Sequence, residues 1–458
     1  MLSNNGFGMS KRDFGAVAVD LGATSGRFAG GWLADGKLHY EVLWQKPHHA
    51  SEVSGRLEWD LAALLELTQS AADYAAHAFD SGILAIDAWG VDHGFLDLDG
   101  ELIGKPICYR DLSHARAFET LKPFREELFS HTGIQHQPFN TICQLVARAT
   151  EDPTLPSRAN FVLLPDLLGY LLTGEISHEL TEASTTQLMG LDGKWSPRAF
   201  EIARWPVPTF QPVKPGSLGG NVRDTVRLAH VGSHDTASAL VGFGRQDRDT
   251  MYVNIGTWSL AMFVREEPIA TPEAEAANFT NERTVDGRVR FLKNIPGFYV
   301  LNRLHEEMAP PGSVADWVAS AENTSESLDL SAPDFFNPQS MVETCIKLLE
   351  RTPKSPQEWA GIAVNSLAKA IAAQPGIAAN VGVAPVEKIR VGGGGSLSGA
   401  LCQAIANESR LPVIAGPVEA TVLGNLAMQF YASGAIGSLA EMESLVDRSV
   451  ELVEYLPG

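Results

Sequence analysis

The sequence predicts an α/β protein of two duplicated units, each a mixed sheet flanked by helices. Three observations carry this expectation. "GAVAVDLG" runs into "GRFAGGWLADGKLHYEVLWQ", alternating apolar stretches whose Asp35-Gly36 is a strong hairpin signal. "WDLAALLELTQSAADYAAHAFD" has apolar residues at helical spacing, and "GILAIDAWGVDHGFLDLDGEL" returns to strand, an order that suits a mixed rather than a purely parallel sheet. Finally, "VDLGATS" from Val19 is echoed by "VNIGTWS" from Val253, pairing Asp20 with Asn254, Gly22 with Gly256 and Ser25 with Ser259.

The remaining elements follow in order. Residues from 115 to 210 read as mostly helical, and "DTVRLAHVGSHDTASALVGFG" as strand, polar turn and small-residue helix. The boundary falls near Gly242 to Arg245, dividing the chain into 1–243 and 244–458. "APPGSVADWVASAENTSESLDLSAPDFFNP" reads as a variable surface excursion within the second unit. "KIRVGGGGSLSGALCQAIANES" reads as a strand ending in four glycines that run straight into a helix.

Composition narrows the partners. The chain has 458 residues, 45% hydrophobic and 20% charged, with a net charge of −20. Such acidity argues against nucleic acid and against anionic membrane surfaces. No apolar run reaches transmembrane length, "MLSNNGFGMSKRDFG" lacks a signal-peptide apolar core, and a cytoplasmic location is expected. Cys108, Cys143, Cys345 and Cys402 form no Cys-x-x-Cys pair, so no zinc site or disulfide framework is expected.

Four stretches offer chemistry, each with a bland alternative. The Gly-Thr-Ser turn after Asp20 and its echo at Gly256-Thr257 offer backbone N–H groups and hydroxyls to an anion; ordinary turns would use the same residues. The lysine of a P-loop is absent. Gly392 to Gly395 allow a ligand to approach the backbone, with a helix start beyond them that favours phosphate. In "GSHDTASA", Asp235 is either a general base or an N-cap, and adjacency prevents Ser233, His234 and Asp235 from forming a triad. Asp87, Trp89, Asp92 and His93 crowd a strand end beside Gly90, as a polyhydroxylated ligand or a plain corner would require.

Taken together, "VDLGATSGR", "VNIGTWSL" and "RVGGGGS" resemble the two phosphate motifs and the adenosine motif of the actin, heat-shock chaperone and sugar-kinase superfamily. "LLPDLLGYLLTGEISHELTEASTTQL" and "GSHDTASA" resemble the FGGY carbohydrate kinases, and "DAWGVDHGFLDLDGE", "TGIQHQPFNT", "FLKNIPG" and "AGPVEATVLGNLAMQ" resemble their L-rhamnulose kinase branch. The resemblance spans residues from about 15 to 430. It implies two ribonuclease H-like (actin-like ATPase) domains, each a mixed five-stranded sheet, with a cleft between them. It implies an ATP-dependent kinase acting on a small sugar, a ketose such as L-rhamnulose, and a monomer or homodimer. Asp235 would be the general base; Gly90, His234, Thr236 and Asn294 would touch sugar. Ala23, Thr24, Ser25, Gly26, Arg27 and Thr257 would meet ATP phosphates, and Gly394 would lie under the adenosine. Asp20 would hold Mg²⁺ through water. Asn302 stands where many rhamnulose kinases have a nucleotide-contacting Gln, and Gln144 where the general FGGY pattern has Lys.

Overall fold

The computed structural model describes residues 11–335 and 338–458; of "MLSNNGFGMSKRDFG", which reads from sequence as a frayed tail, residues 1–10 lie outside them, and Arg12–Gly15 instead open the first strand. The first unit opens with β1 (Arg12–Leu21), β2 (Ser25–Ala34) and β3 (Lys37–Pro47) as an antiparallel meander. Asp35 and Gly36 both take positive φ (52° and 70°), the conformation a two-residue hairpin turn needs. A short ribbon of β4 (Ser51–Val53) and β5 (Arg56–Glu58) leads to the helix Leu61–Ala78, where the Asp60 carboxylate accepts a hydrogen bond from the Ala63 N–H at 3.2 Å. That helix returns the chain to β6 (Phe79–Ala88), parallel to β1. β7 (His93–Asp97), in a segment expected to be strand, and β8 (Ala159–Leu163), inside the stretch expected to be mostly helical, form a separate antiparallel ribbon. β9 (Ser217–Arg223) and β10 (Val226–His230) complete the unit.

The second unit repeats the plan with β11 (Thr250–Ile255), β12 (Trp258–Arg265), β13 (Thr280–Arg283), β14 (Val289–Pro296), β15 (Lys388–Gly392), β16 (Val413–Ala415) and β17 (Val453–Tyr455). The sheet orders are β3-β2-β1-β6-β10-β9 and β13-β14-β12-β11-β15-β16-β17. Strands β3-β2-β1-β6-β10 and β14-β12-β11-β15-β16 match in order and direction, so the duplication is structural. The expected five-stranded sheets are the cores of sheets with six and seven strands. The extra strands β9, β13 and β17 pair antiparallel with strands that would otherwise be bare edges.

The two matched hairpins differ by one residue. Leu21 pairs with Gly26, whereas Ile255 pairs with Ser259. The second turn is therefore tighter, Ser259 stands at the position of Gly26, and the gapless pairing of Ser25 with Ser259 is corrected.

Each unit lends a helix to the other. Helix Ala420–Ala432, from the end of the chain, lays Val422, Leu423 and Leu426 on Ala16, Ala18 and Ala85 of the first sheet. Its Gln429 side chain donates to the Val17 carbonyl at 3.0 Å. Helix Asp235–Gly242 lies before the expected boundary, yet its Leu240 packs with Phe243, Tyr252 and Met262 of the second unit. The two helices meet at glycines: a Cβ on Gly424 would lie 1.8 Å from the Ser238 carbonyl oxygen, and one on Gly242 2.0 Å from that of Ala420. Any side chain there is excluded by backbone.

The stretch read as a surface excursion is also anchored. Its Trp317 is buried and donates from Nε1 to the Pro356 carbonyl at 2.7 Å, and Leu330 and Phe335 join the core of the second unit. Among the described residues, no helix is long and apolar enough to cross a membrane.

Candidate active site

A cleft of about 1780 Å³ runs between the units, and both hairpin turns open onto it. In the first turn the Gly22 N–H closes on the Ser25 carbonyl at 3.0 Å, leaving Ala23, Thr24 and Ser25 on the cleft wall. In the second, Gly256 N–H closes on the Trp258 carbonyl at 2.9 Å, and the Thr257 carbonyl accepts from Tyr299 N–H at 3.0 Å. Arg27 faces Asp20 across the ladder and donates to its Oδ2 from Nε (2.8 Å) and Nη2 (2.7 Å), while Nη1 reaches Glu419 Oε2 at 2.5 Å. Burial opposes the guanidinium charge, and Asp20 and Glu419 outweigh it, so the Arg27 pKa is raised.

Asp20 lies beside Asp87 in the parallel register of β1 and β6. Asp87 is fully buried; its Oδ2 accepts from Asn425 Nδ2 at 2.5 Å and its Oδ1 has no hydrogen-bond partner. Burial, then Asp20, push its pKa well up. An adjoining acid pair with an orphaned oxygen fits a hard cation such as Mg²⁺. Among the described residues no group of three or more His, Cys, Asp or Glu is placed to hold a metal alone. Mg²⁺ usually keeps water and substrate phosphate among its ligands, so the fit needs only one or two carboxylates.

Asp235 is the first residue of its helix, with His234 at the N-cap. The cap reading is thereby corrected: the Asp235 carboxylate takes a hydrogen bond from Thr236 Oγ1 at 2.9 Å and stands on the cleft wall, its side chain 26% exposed. Burial raises its pKa, the nearby His234 opposes this, and Asp20 adds to it. His234 Nε2 lies 3.5 Å from Asp235 Oδ1, and its Nδ1 lies 3.0 Å from Arg290 Nη2 and 3.1 Å from Glu282 Oε2. Arg290, wholly buried, donates to Glu282 Oε2 at 2.9 Å. The backbone behind is held too: the Ser233 and His234 N–H groups donate to Glu179 Oε2 (3.1 Å) and Thr181 Oγ1 (3.2 Å).

The wall beside Asp235 is made by Trp89, Gly90 and Val91. Val91 takes φ 72°, a strained conformation for a β-branched residue. Three hydrogen bonds hold it: its N–H donates to Thr185 Oγ1 (3.2 Å), and its carbonyl accepts from Thr141 Oγ1 (2.7 Å) and Gln144 Nε2 (3.2 Å). Asp92 and His93 turn away from the cleft. Asp92 Oδ2 accepts from Trp59 Nε1 (2.6 Å) and Trp89 Nε1 (2.9 Å), and Oδ1 accepts from Gln144 Nε2 (3.1 Å). Asp92 therefore positions the wall and does not form it.

On the far side, Gly393 (φ 74°) passes so close to Asn254 that a Cβ would lie 2.7 Å from its Oδ1, while Gly394 faces open space. The glycines do not run straight into the helix. A single 3-10 turn, Gly394–Leu397, intervenes, and the helix Gly399–Ser409 begins with Ser398 accepting from the Leu401 N–H at 3.3 Å. Ser327 to Ala332 of the supposed surface excursion form the facing wall.

Of the residues expected at the site, Asp20, Ala23, Thr24, Ser25, Arg27, Gly90, His234, Asp235, Thr236, Thr257, Asn294 and Gly394 line this one cleft. Two lie off its lining. Gly26 is buried, facing Leu67 and Leu21. Asn302 is on the helix Phe298–Met308, whose cleft-lining residues are Tyr299 and Arg303. Glu282 and Arg290 escape sequence reading, although Asp286-Gly287 between "TNER" and "RVRF" signals a hairpin whose register sets them opposite each other.

The architecture is that of the two-unit sugar kinases. The chain superposes on a ligand-bound xylulose kinase from Lactobacillus acidophilus with TM-score 0.80 at 16% identity, covering 97% of this chain and 94% of that one. It superposes on an ADP-bound glycerol kinase from Plasmodium falciparum with TM-score 0.75 at 15% identity, covering 98% and 95%. Its sequence matches the N-terminal domain of the FGGY family of carbohydrate kinases over residues 16–230 and the C-terminal domain over 251–433. It is 34% identical to the rhamnulokinase of Pectobacterium carotovorum, covering 96% of this chain and 92% of that one, and 34% identical to that of Bacteroides thetaiotaomicron, covering 96% and 95%. The chain belongs to the FGGY family of carbohydrate kinases, phosphotransferases that act on a sugar.

Proposed function

We propose that the protein transfers the γ-phosphoryl group of ATP to the terminal hydroxyl of L-rhamnulose, giving L-rhamnulose 1-phosphate, with Asp235 as general base. The observation that carries this reading is the Asp235 carboxylate, facing the same cleft as both phosphate hairpins and the Gly90 wall. The sugar hydroxyl oxygen attacks the γ-phosphorus, Asp235 takes its proton, and the bond to the bridging oxygen breaks to release ADP. Little covalent chemistry falls to the protein, so rate comes from positioning and electrostatics.

Ala23, Thr24, Ser25 and Thr257 grip the phosphates through backbone and hydroxyl groups, and Gly394 and the 327–332 wall enclose the adenosine. Gly90, Asn294, His234 and Thr236 hold the sugar. Arg290 and Glu282 fix the His234 ring and so the space beside the base. Asp20 and Asp87 would hold Mg²⁺, which would neutralise phosphate charge as the bridging bond breaks. Units 1–243 and 244–458 close on one another and exclude water. The rhamnulokinase relatives, similar along nearly the whole chain, support L-rhamnulose over other ketoses.

A coupled ADP-release assay over a panel of ketoses and polyols tests the reading. L-rhamnulose is expected to give the highest kcat/KM. A higher value with L-fuculose or L-xylulose refutes the substrate, and ADP release indifferent to any sugar refutes sugar transfer.

A further inference from the structure

A second cavity, about 210 Å³, shares no lining residue with the cleft, and the reaction above does not use it. Arg56, Arg148 and Lys105 line it together with His93, His114 and Glu58. The two arginines share one carboxylate oxygen: Arg56 Nη2 and Arg148 Nη1 both donate to Glu151 Oε2, at 2.6 and 2.8 Å. Arg56 Nη1 and Arg148 Nε are left buried with no partner. His114 and His93 are buried beside them, 1% and 4% exposed. Buried donors left unpaired are costly unless a ligand accepts from them. Three cations, Arg56, Arg148 and Lys105, face two carboxylates here, Glu58 and Glu151, leaving one positive charge over in a chain whose net charge is −20.

We propose that this cavity binds a small phosphate-bearing anion, either free orthophosphate or a short phosphate monoester, with Arg56 and Arg148 as its principal ligands and Lys105 at the mouth. Guanidinium groups present N–H donors in the fork geometry that phosphate oxygens accept. His114, an uncharged donor once burial has lowered its pKa, completes the set. The site is wired to the sugar wall: Gln144 lines the cavity and donates to Asp92, which in turn holds the Trp89 indole at the cleft. Occupancy therefore changes the KM for sugar more than kcat. Binding itself stands apart from the kinase reading; only this kinetic effect rests on it.

The test uses the full chain with ADP and sugar saturating the cleft, titrated by calorimetry first with inorganic phosphate and then with glycerol 3-phosphate. Saturable binding of at least one of them is expected. Arg148→Gln and Arg56→Gln should each weaken it about tenfold or more, since a charge-assisted hydrogen bond is removed. Arg148→Lys should retain part of the affinity, and Asp235→Asn should leave it unchanged. Lys105→Gln, at the exposed mouth, gives a weaker loss and stands in if the arginine variants do not fold. Tighter binding of the ester names a metabolite as the ligand, and tighter binding of orthophosphate names the free ion. An adventitious ion only, seen as binding that no Arg or Lys variant alters, overturns the proposal. So does the lack of saturable binding at millimolar concentrations of both probes.

Discussion

Replacing Asp235 by Asn removes the proposed proton acceptor with little change of shape. The amide oxygen can still accept the hydrogen bond that Thr236 Oγ1 gives the carboxylate at 2.9 Å in the parent, and the residue keeps the first position of its helix. General-base catalysis contributes about 10²–10⁴ in rate, or roughly 2.7–5.5 kcal/mol of barrier. Nearby acids are poor substitutes: Asp20 is tied to Arg27, and Glu282 to Arg290. The expected loss therefore lies near the upper end, about 10³–10⁴ in kcat, with the sugar KM changed only a few-fold. Steady-state ADP release across sugar concentrations reads both constants. Turnover within about tenfold of the parent would refute the reasoning, because a base worth less than ~1.4 kcal/mol is not the base. The parent enzyme carries a matching pH signature. The base works deprotonated and burial raises its pKa, so activity falls as pH falls through a value above the ordinary aspartate range. Asp235→Asn should abolish that acid limb.

Three further outcomes are expected. Gly90→Ala places a Cβ 3.0 Å from Thr185 Cγ2, disturbing the hydroxyl that holds strained Val91, so the sugar KM should rise about tenfold while the ATP KM stays within about twofold. Arg290→Met strands the buried Glu282 carboxylate and should cost about 3–5 kcal/mol in urea unfolding; adding Glu282→Gln should restore much of it, and no restoration would sink the ion-pair explanation. Burial works against the Glu307 charge, but hydrogen bonds from the Met341 and Val342 N–H groups, Ser340 Oγ and Arg303 prevail and hold its pKa at about 2. A depressed folded pKa means stability that is full above the ordinary glutamate value and is lost as pH falls through about 2. Glu307 is exposed enough for solvent to screen these contacts, so Glu307→Gln should cost only about 1 kcal/mol at neutral pH, and thermal melts should show the gap closing in acid.

The parts legible in sequence were those built from local pattern. The hairpin turn at Asp35-Gly36, the helix capped by Asp60 and the two Gly-Thr turns each announce themselves within a few residues. The one-residue slip between the matched hairpins does not, because "VDLGATS" and "VNIGTWS" align without a gap while their ladders pair differently. Trp317 and Leu330 lie in a Ser- and Pro-rich stretch whose composition looks superficial, and only tertiary packing shows that it walls the cleft. Asp92 shows the same limit from the other side. It sits three residues from Trp89 in a motif suited to a sugar, yet the backbone turn at Val91 points it inward to hold two indoles.

The glycine contact between helices Asp235–Gly242 and Ala420–Ala432 has a mechanical corollary. Where main chain bears on main chain, no rotamer is available to absorb displacement, so the joint transmits it. One helix carries Asp235 at its start, and the other carries the Asn425 that grips Asp87. The proton acceptor and the acid pair therefore ride on a common stiff mount, and a single methyl group at residue 424 shifts one against the other.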